Sequence, residues 1–144
     1  MSEAHPGTGR PDLDSPEHIR IFVEAFYEGM LADSILGPIF LDVAAIELDQ
    51  HLPLIRAYWE KLLLGSREYR RHTMNIHREL AAQRSLQKVD FERWLTFFVT
   101  TMDRLFSGPM ADRAKQLATN IAINMHNTLH PEAPVETIEP IAEL

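Results

Sequence analysis

Two histidines stand five residues apart in the short stretch Tyr69-Arg70-Arg71-His72-Thr73-Met74-Asn75-Ile76-His77-Arg78-Glu79-Leu80, which lies between longer segments with an apolar period. Imidazole is the commonest metal ligand among side chains and the one whose charge changes near neutral pH, so these positions hold the clearest chemical potential of the chain. On a helix His77 shares a face with Thr73 and Met74 one turn earlier and with Leu80 and Ala81 one turn later, which points its ring at an apolar interior. His72 has Glu68, Tyr69, Asn75 and Ile76 as its nearest neighbours, and a five-residue offset at about 3.6 residues per turn sets it well round the helix from His77. Only one of the two can face a given pocket. Taken alone, His77 reads more simply as a core histidine with its nitrogens satisfied by backbone groups than as a metal ligand.

Three further residues shift that balance. Tyr27 stands with Phe26, His51 stands one turn ahead of Ile55, and Trp94 stands with Leu95, each on an otherwise apolar helical face. Aromatic residues and Met at such spacing are usually core and nothing more, but each of these three carries an N–H or O–H that needs a partner when buried. Together with His77 they give an interior with one basic nitrogen on one side and several hydrogen-bond donors on the other. That layout suits a haem iron with an imidazole axial ligand and a polar diatomic ligand such as O2 opposite.

The elements that must position these residues follow from the pattern. Ser15-Pro16-Glu17 is a start signal, with a capping hydroxyl, a proline at the first helical position and an acid in the first turn. The helix after it carries Ile19, Phe22, Val23, Phe26 and Met30 at i, i+3, i+4, i+7 spacing, with Tyr27 beside Phe26, and Asp33-Ser34 ends it. Leu36-Gly37-Pro38 is expected not to continue as regular helix. Ile39-Phe40-Leu41 forms a short apolar plug in that corner. A second helix is expected from Asp49 to Leu64, with Leu52, Ile55, Trp59, Leu62 and Leu63 on one face and Gly65 as its stop. Pro53 requires that helix to begin just before it, so His51 falls in the first turn. A helix of two or three turns holds His77, and Ala81–Lys88 is a loop. Val89-Asp90 opens a third long helix with Phe91, Trp94, Leu95, Phe98, Met102, Leu105 and Phe106 in period. After Ser107-Gly108-Pro109 a last helix carries Met110, Ala114, Leu117, Ala118, Ile121, Ala122, Met125 and Leu129, and Pro131 ends it. Residues 1–14 and 131–144, rich in Gly, Pro, Asp and Glu, are expected to be disordered arms on a domain of residues 15–130. The chain is expected to be all-α, with four long amphipathic helices, one short helix and irregular corners.

Composition sets the outer bounds. The 144 residues suit one domain, and 45% hydrophobic with 24% charged residues is ordinary for a globular protein. A formal net charge of −7 argues against nucleic acid or anionic lipid as the main partner. Cysteine is absent, which removes disulfides, thiolate metal sites and a thiol nucleophile. No apolar run approaches the ~20 residues of a membrane span, and MSEAHPGTGR lacks the apolar core of a signal peptide, so the expected location is cytoplasmic.

Five pieces in order carry a family resemblance: Phe26-Tyr27; Leu36-Gly37-Pro38-Ile39-Phe40; His51-Leu52-Pro53 with Tyr58-Trp59 and Leu62-Leu63-Leu64-Gly65; Tyr69 with His77 eight residues later; and Phe91-Glu92-Arg93-Trp94-Leu95. From about Ile19 to His126 the chain resembles the truncated haemoglobins, specifically group III. The resemblance implies a truncated globin-like two-on-two helical sandwich around haem b. It also implies that His77 is the proximal iron ligand, that Tyr27, His51 and Trp94 form the distal hydrogen-bonding set, and that Phe40 and Ile55 pack on the haem. Two departures stand out: the span from His77 to Trp94 is longer than the family pattern, and Arg70-Arg71-His72-Thr73 replaces a Gly/Pro-like approach to the proximal helix. Arg70-Arg71 is either a solvated face or a partner for the haem propionates.

Rival chemistries are thinner. His126 and His130 have the i, i+4 spacing of a zinc-binding helix, but His126-Asn127-Thr128-Leu129-His130 lacks the catalytic Glu of the zincin motif, and His130 sits at a helix end before proline, where a solvated or capping role fits. His5 and His18 are expected to be exposed. There is no Gly-rich phosphate loop and no serine in a nucleophile-elbow context. Three classes of function remain: a haem protein that binds O2, CO, NO or a similar small ligand; a haem enzyme that oxidises NO or uses peroxide at the same site, served by a reductase; and a haem-free helical interaction module.

Overall fold

The structure, a computed structural model, describes residues 10–38, 48–65 and 86–141, with the backbone alone at 48–51. The helix α1 spans Pro16–Leu31 and starts where the local chemistry demands: Ser15 is extended, its hydroxyl accepts from the His18 N–H at 3.1 Å, and Pro16 fills a position whose N–H would have no partner. Its buried face is Ile19, Phe22, Val23, Phe26, Tyr27 and Met30, the set that the 3.6-residue period predicts.

At the corner the sequence expectation is corrected. Leu36–Pro38 form one helical turn, α2. Asp33 makes this possible, because one carboxylate oxygen accepts from the N–H groups of Ile35 at 3.0 Å and Leu36 at 2.8 Å. Pro38 does not break the turn, since a first-turn N–H has no helical acceptor to lose. Gly37 is required there: a Cβ at this position would stand 2.4 Å from the Leu31 carbonyl oxygen.

The helix α3 spans Leu48–Leu64 and buries Ile55, Trp59 and Leu63, one residue per turn, with Gly65 following it as expected. The helix α4, Lys88–Leu105, begins with Asp90 accepting the Gln87 N–H at 2.9 Å and buries Phe91, Leu95, Phe98 and Met102. The helix α5, Pro109–Leu129, faces inward with Ala111, Ala114, Ala118 and Ala122, small side chains that let its axis approach α4 closely. Among the described residues every regular element is a helix. None of the described helices is long and apolar enough to cross a membrane.

The helices form two layers. Helix α1 packs on α3, α4 packs on α5, and the layers meet through α1 on α4 and α3 on α5. Phe98, fully buried, lies at the centre, with Phe22 edge-on at 4.7 Å, Phe26 edge-on at 5.4 Å and Trp59 tilted at 5.2 Å between ring centroids. Such ring pairs add specificity to a core that burial alone would leave looser.

Parts of both expected arms pack on this core. Leu13 and Ile138 are each 1% exposed. The carboxylate of Asp12 accepts the N–H groups of Met110 at 3.0 Å and Ala111 at 2.9 Å, capping α5 in place of the side chain that Gly108 lacks. Arg10 donates to the Asp103 carbonyl, and the Ser107 N–H donates to Pro11. At the other end Asn127 forms a two-way amide pair with the Val135 backbone, and the Ile141 N–H donates to the Thr96 hydroxyl at 2.7 Å. These are single polar bonds, spanning from 8 to 99 positions of chain, or single apolar side chains, so no local period announces them.

Candidate functional site

Tyr27 sits in the fourth turn of α1 on its buried face, because it follows Phe26 by one residue and Val23 by four. Its ring is 4% exposed, and burial pushes the phenol far above its usual range, so the hydroxyl keeps its proton and remains a donor at any ordinary pH. Trp94, half-buried on α4, approaches from the other layer. Both rings stand edge-on to Phe26, Tyr27 at 5.6 Å and 87°, Trp94 at 5.8 Å and 82°. One phenylalanine therefore joins the tyrosine of one layer to the tryptophan of the other. Trp94 is further held by Phe98 at 5.7 Å.

Ile55, 5% exposed, lies on α3, the helix that packs on α1. The backbone of His51 is in the first turn of that helix, one turn before Ile55, as Pro53 led us to expect; its side chain lies outside the described residues. His77, Phe40, His72, Tyr69 and Arg70-Arg71 also lie outside them, so the structure describes Tyr27, Ile55 and Trp94 of the six site residues. Those three fit one side of a haem pocket chemically: a phenol that stays neutral, an indole, an aliphatic wall, and no carboxylate or cation among them.

The feature that sequence reasoning missed is close by. Asp33, read from the sequence only as a helix stop, takes both prongs of Arg93, Nε at 2.8 Å and Nη2 at 2.6 Å, across sixty positions of chain. The Asp33 side chain is 7% exposed. The hydrogen-bonded guanidinium, helped by the Leu36 and Ile35 N–H groups, holds this carboxyl down to about 2. Arg93 immediately precedes Trp94, and that adjacency was the one available signal.

The histidines of α5 are structural. His126, 5% exposed, hydrogen-bonds through Nδ1 to Asn127 Oδ1 at 2.9 Å and stands edge-on to Phe91. His130 caps the helix and donates from Nε2 to the Leu86 carbonyl at 2.6 Å, so it is tied down and not solvated. No group of three metal-ligating side chains occurs among the described residues. His18 is 30% exposed at the side chain and pairs with Asp14 at 3.2 Å.

No protein-family model matches the chain. It is 29% identical over 117 residues to the group 3 truncated haemoglobin ctb of Campylobacter jejuni, which covers 79% of this chain and 90% of that one. The crystal structure of group III truncated haemoglobin from Campylobacter jejuni superimposes with a TM-score of 0.73 at 27% identity, covering 84% of this chain and 95% of that chain. Matched over most of its length in both fold and sequence, this chain has the truncated globin fold and is similar to the group III truncated haemoglobins.

Proposed function

We propose that the protein is a haem b globin of the cytoplasm that reversibly binds O2 or another diatomic ligand, with His77 as the proximal ligand. Tyr27, His51 and Trp94 serve as the distal set, and Phe40 and Ile55 pack on the haem. Bound haem would supply the iron at which a diatomic ligand coordinates.

The observation that carries this reading is Tyr27, a buried phenol whose proton is retained and whose ring shares Phe26 with the indole of Trp94. A buried phenol that keeps its proton can donate to a ligand that gains negative charge on binding. Ile55, Phe26 and Phe98 belong with Tyr27 to one buried core, and a hydrogen bond made where water is scarce is strengthened. The residues would thus favour a ligand that polarises over one that does not.

Purified protein supplied with haem tests the proposal through its absorption spectrum. A Soret band that shifts with CO supports it, and failure to take up haem leaves the interaction-module reading. Turnover with NO or with peroxide would assign the enzyme reading instead of simple ligand binding.

A further inference from the structure

Asp33 and Arg93 meet where the chain leaves α1, turns through α2 and crosses α4. Their contact is a two-pronged fork, Nε to one carboxylate oxygen at 2.8 Å and Nη2 to the other at 2.6 Å, so it fixes rotation as well as distance. The carboxylate is itself held, because the oxygen that takes Nε also accepts from Ile35 and Leu36 at the start of α2. At 7% side-chain exposure, water competes poorly for it.

The fork holds α4 one residue before Trp94. Leu95 and Phe98 are 0% exposed, whereas Trp94, next to Arg93, is half-buried. A rotation of α4 by roughly 20° would carry a side-chain tip about 6 Å from the helix axis through about 2 Å. That exceeds several times the spread of hydrogen-bond lengths. Trp94 and Tyr27 both stand edge-on to one ring, Phe26, so such a rotation would change the spacing of the two donors.

We propose that Asp33 and Arg93 are a positioning pair for the distal site, setting the rotation of α4 and with it the place of the Trp94 indole N–H relative to the Tyr27 hydroxyl. The inference rests on the reading of Tyr27 and Trp94 as donors to a diatomic ligand. Neither Asp33 nor Arg93 touches that ligand; they act through Trp94.

The test is the C–O stretching spectrum of the haem-loaded ferrous CO form, with O2 release rates, for the parent and for Y27F, D33N, R93Q, R93K and K115A. K115A removes the Lys115–Asp103 pair that ties α4 to α5 elsewhere, and it controls for stability loss alone. D33N and R93Q are expected to add a second C–O band and to release O2 roughly fivefold faster. R93K, which keeps the charge but loses the fork, is expected to show a smaller second band, and K115A to keep the parental spectrum. If D33N and R93Q melt lower yet keep the parental band, the positioning role is overturned; should neither fold, a parental band in R93K overturns it equally. Y27F separates the two readings: an unmoved band in Y27F removes the donor reading itself, whereas a moved band in Y27F with unmoved clamp variants removes only the positioning pair.

Discussion

Tyr27 shows how much one residue's place can imply. A tyrosine on the inward face of α1 is buried, and burial holds the proton on its hydroxyl. A hydrogen bond from such a donor to a charged acceptor contributes roughly 1.5–3 kcal/mol, so Tyr27→Phe should speed O2 release by about one to two orders of magnitude while leaving CO release nearly unchanged. Stopped-flow release rates for both ligands check this, and equal changes for the two would remove the donor role. His77 invites the complementary measurement. Replacing His77 by Gly should abolish stable haem retention or make it depend on added imidazole, whereas His72→Ala should leave a normal five-coordinate ferrous spectrum. Exchange of those two outcomes would move the proximal role to His72. At this scale the sequence was informative where periodicity speaks: Tyr27, Ile55 and Trp94 were assigned to buried or half-buried faces from i, i+3, i+4 spacing, and they lie there. It was silent on Asp33, because a carboxylate's partner sixty residues away leaves no mark on local spacing.

Between elements the decisive contacts are polar, and they make two predictions. Asp33, held down to about 2 in the folded protein against an ordinary value near 3.8, contributes stability that is fully present above about pH 4 and is lost as the pH falls toward 2. A depression of that size corresponds to about 2 kcal/mol at neutral pH. Arg93→Gln should therefore lower stability at pH 7 by part of that amount, since the Ile35 and Leu36 N–H groups remain, and flatten part of its decline between pH 4 and 2. Urea denaturation across that range checks both parts, and a parallel decline in parent and variant would show that the ion pair contributes little. The second prediction concerns α3. Pro53 lies inside that helix and cannot donate to the carbonyl four residues back, so the first turn, with His51 in it, is held by fewer bonds than the rest. His51→Leu should then raise the rate at which CO and O2 alike reach the site, more than it changes their release. Flash photolysis decides, since unchanged recombination rates would remove any gating by His51. The helix spans themselves were legible to within a residue or two because caps and stops are local signals: Ser15, Pro16, Pro109 and Gly65 each act within one turn. The turn at Leu36–Pro38 was not, since it depends on a side chain three residues earlier folding back on it.

At the scale of the whole molecule, Leu13 before the helices and Ile138 after them are buried in the two-layer core. Helix α5 begins at Gly108, which has no side chain with which to cap it, and a Cβ there would stand 2.5 Å from the Asp12 carboxyl carbon. Asp12 reaches in from ninety-eight positions away to bond the Met110 N–H and, with its other oxygen, that of Ala111. The glycine and the remote carboxylate are therefore one device, in which the missing side chain makes room for the cap that replaces it. Leu13 follows Asp12 into the core, and Ile138 does the same from the far end, where the Asn127 amide pairs with Val135 in both directions. Composition had suggested disorder for both stretches because a single buried apolar side chain among Pro, Gly and acids has no period to detect. Each such side chain contributes about 1.5–3 kcal/mol when fully buried, and the loss of a helix cap costs about 1 kcal/mol. A chain cut to residues 15–130 loses both apolar anchors and the Asp12 cap, which together rival a large share of the 5–15 kcal/mol that holds a domain folded. We therefore expect it to melt well below the full-length protein and to lose haem more readily, while Asp12→Ala alone should cost about 1 kcal/mol. Thermal melts of full-length protein, the shortened chain and the Asp12 variant compare these directly. A shortened chain that melts with the full-length protein would show that Leu13 and Ile138 lie against the core without stabilising it.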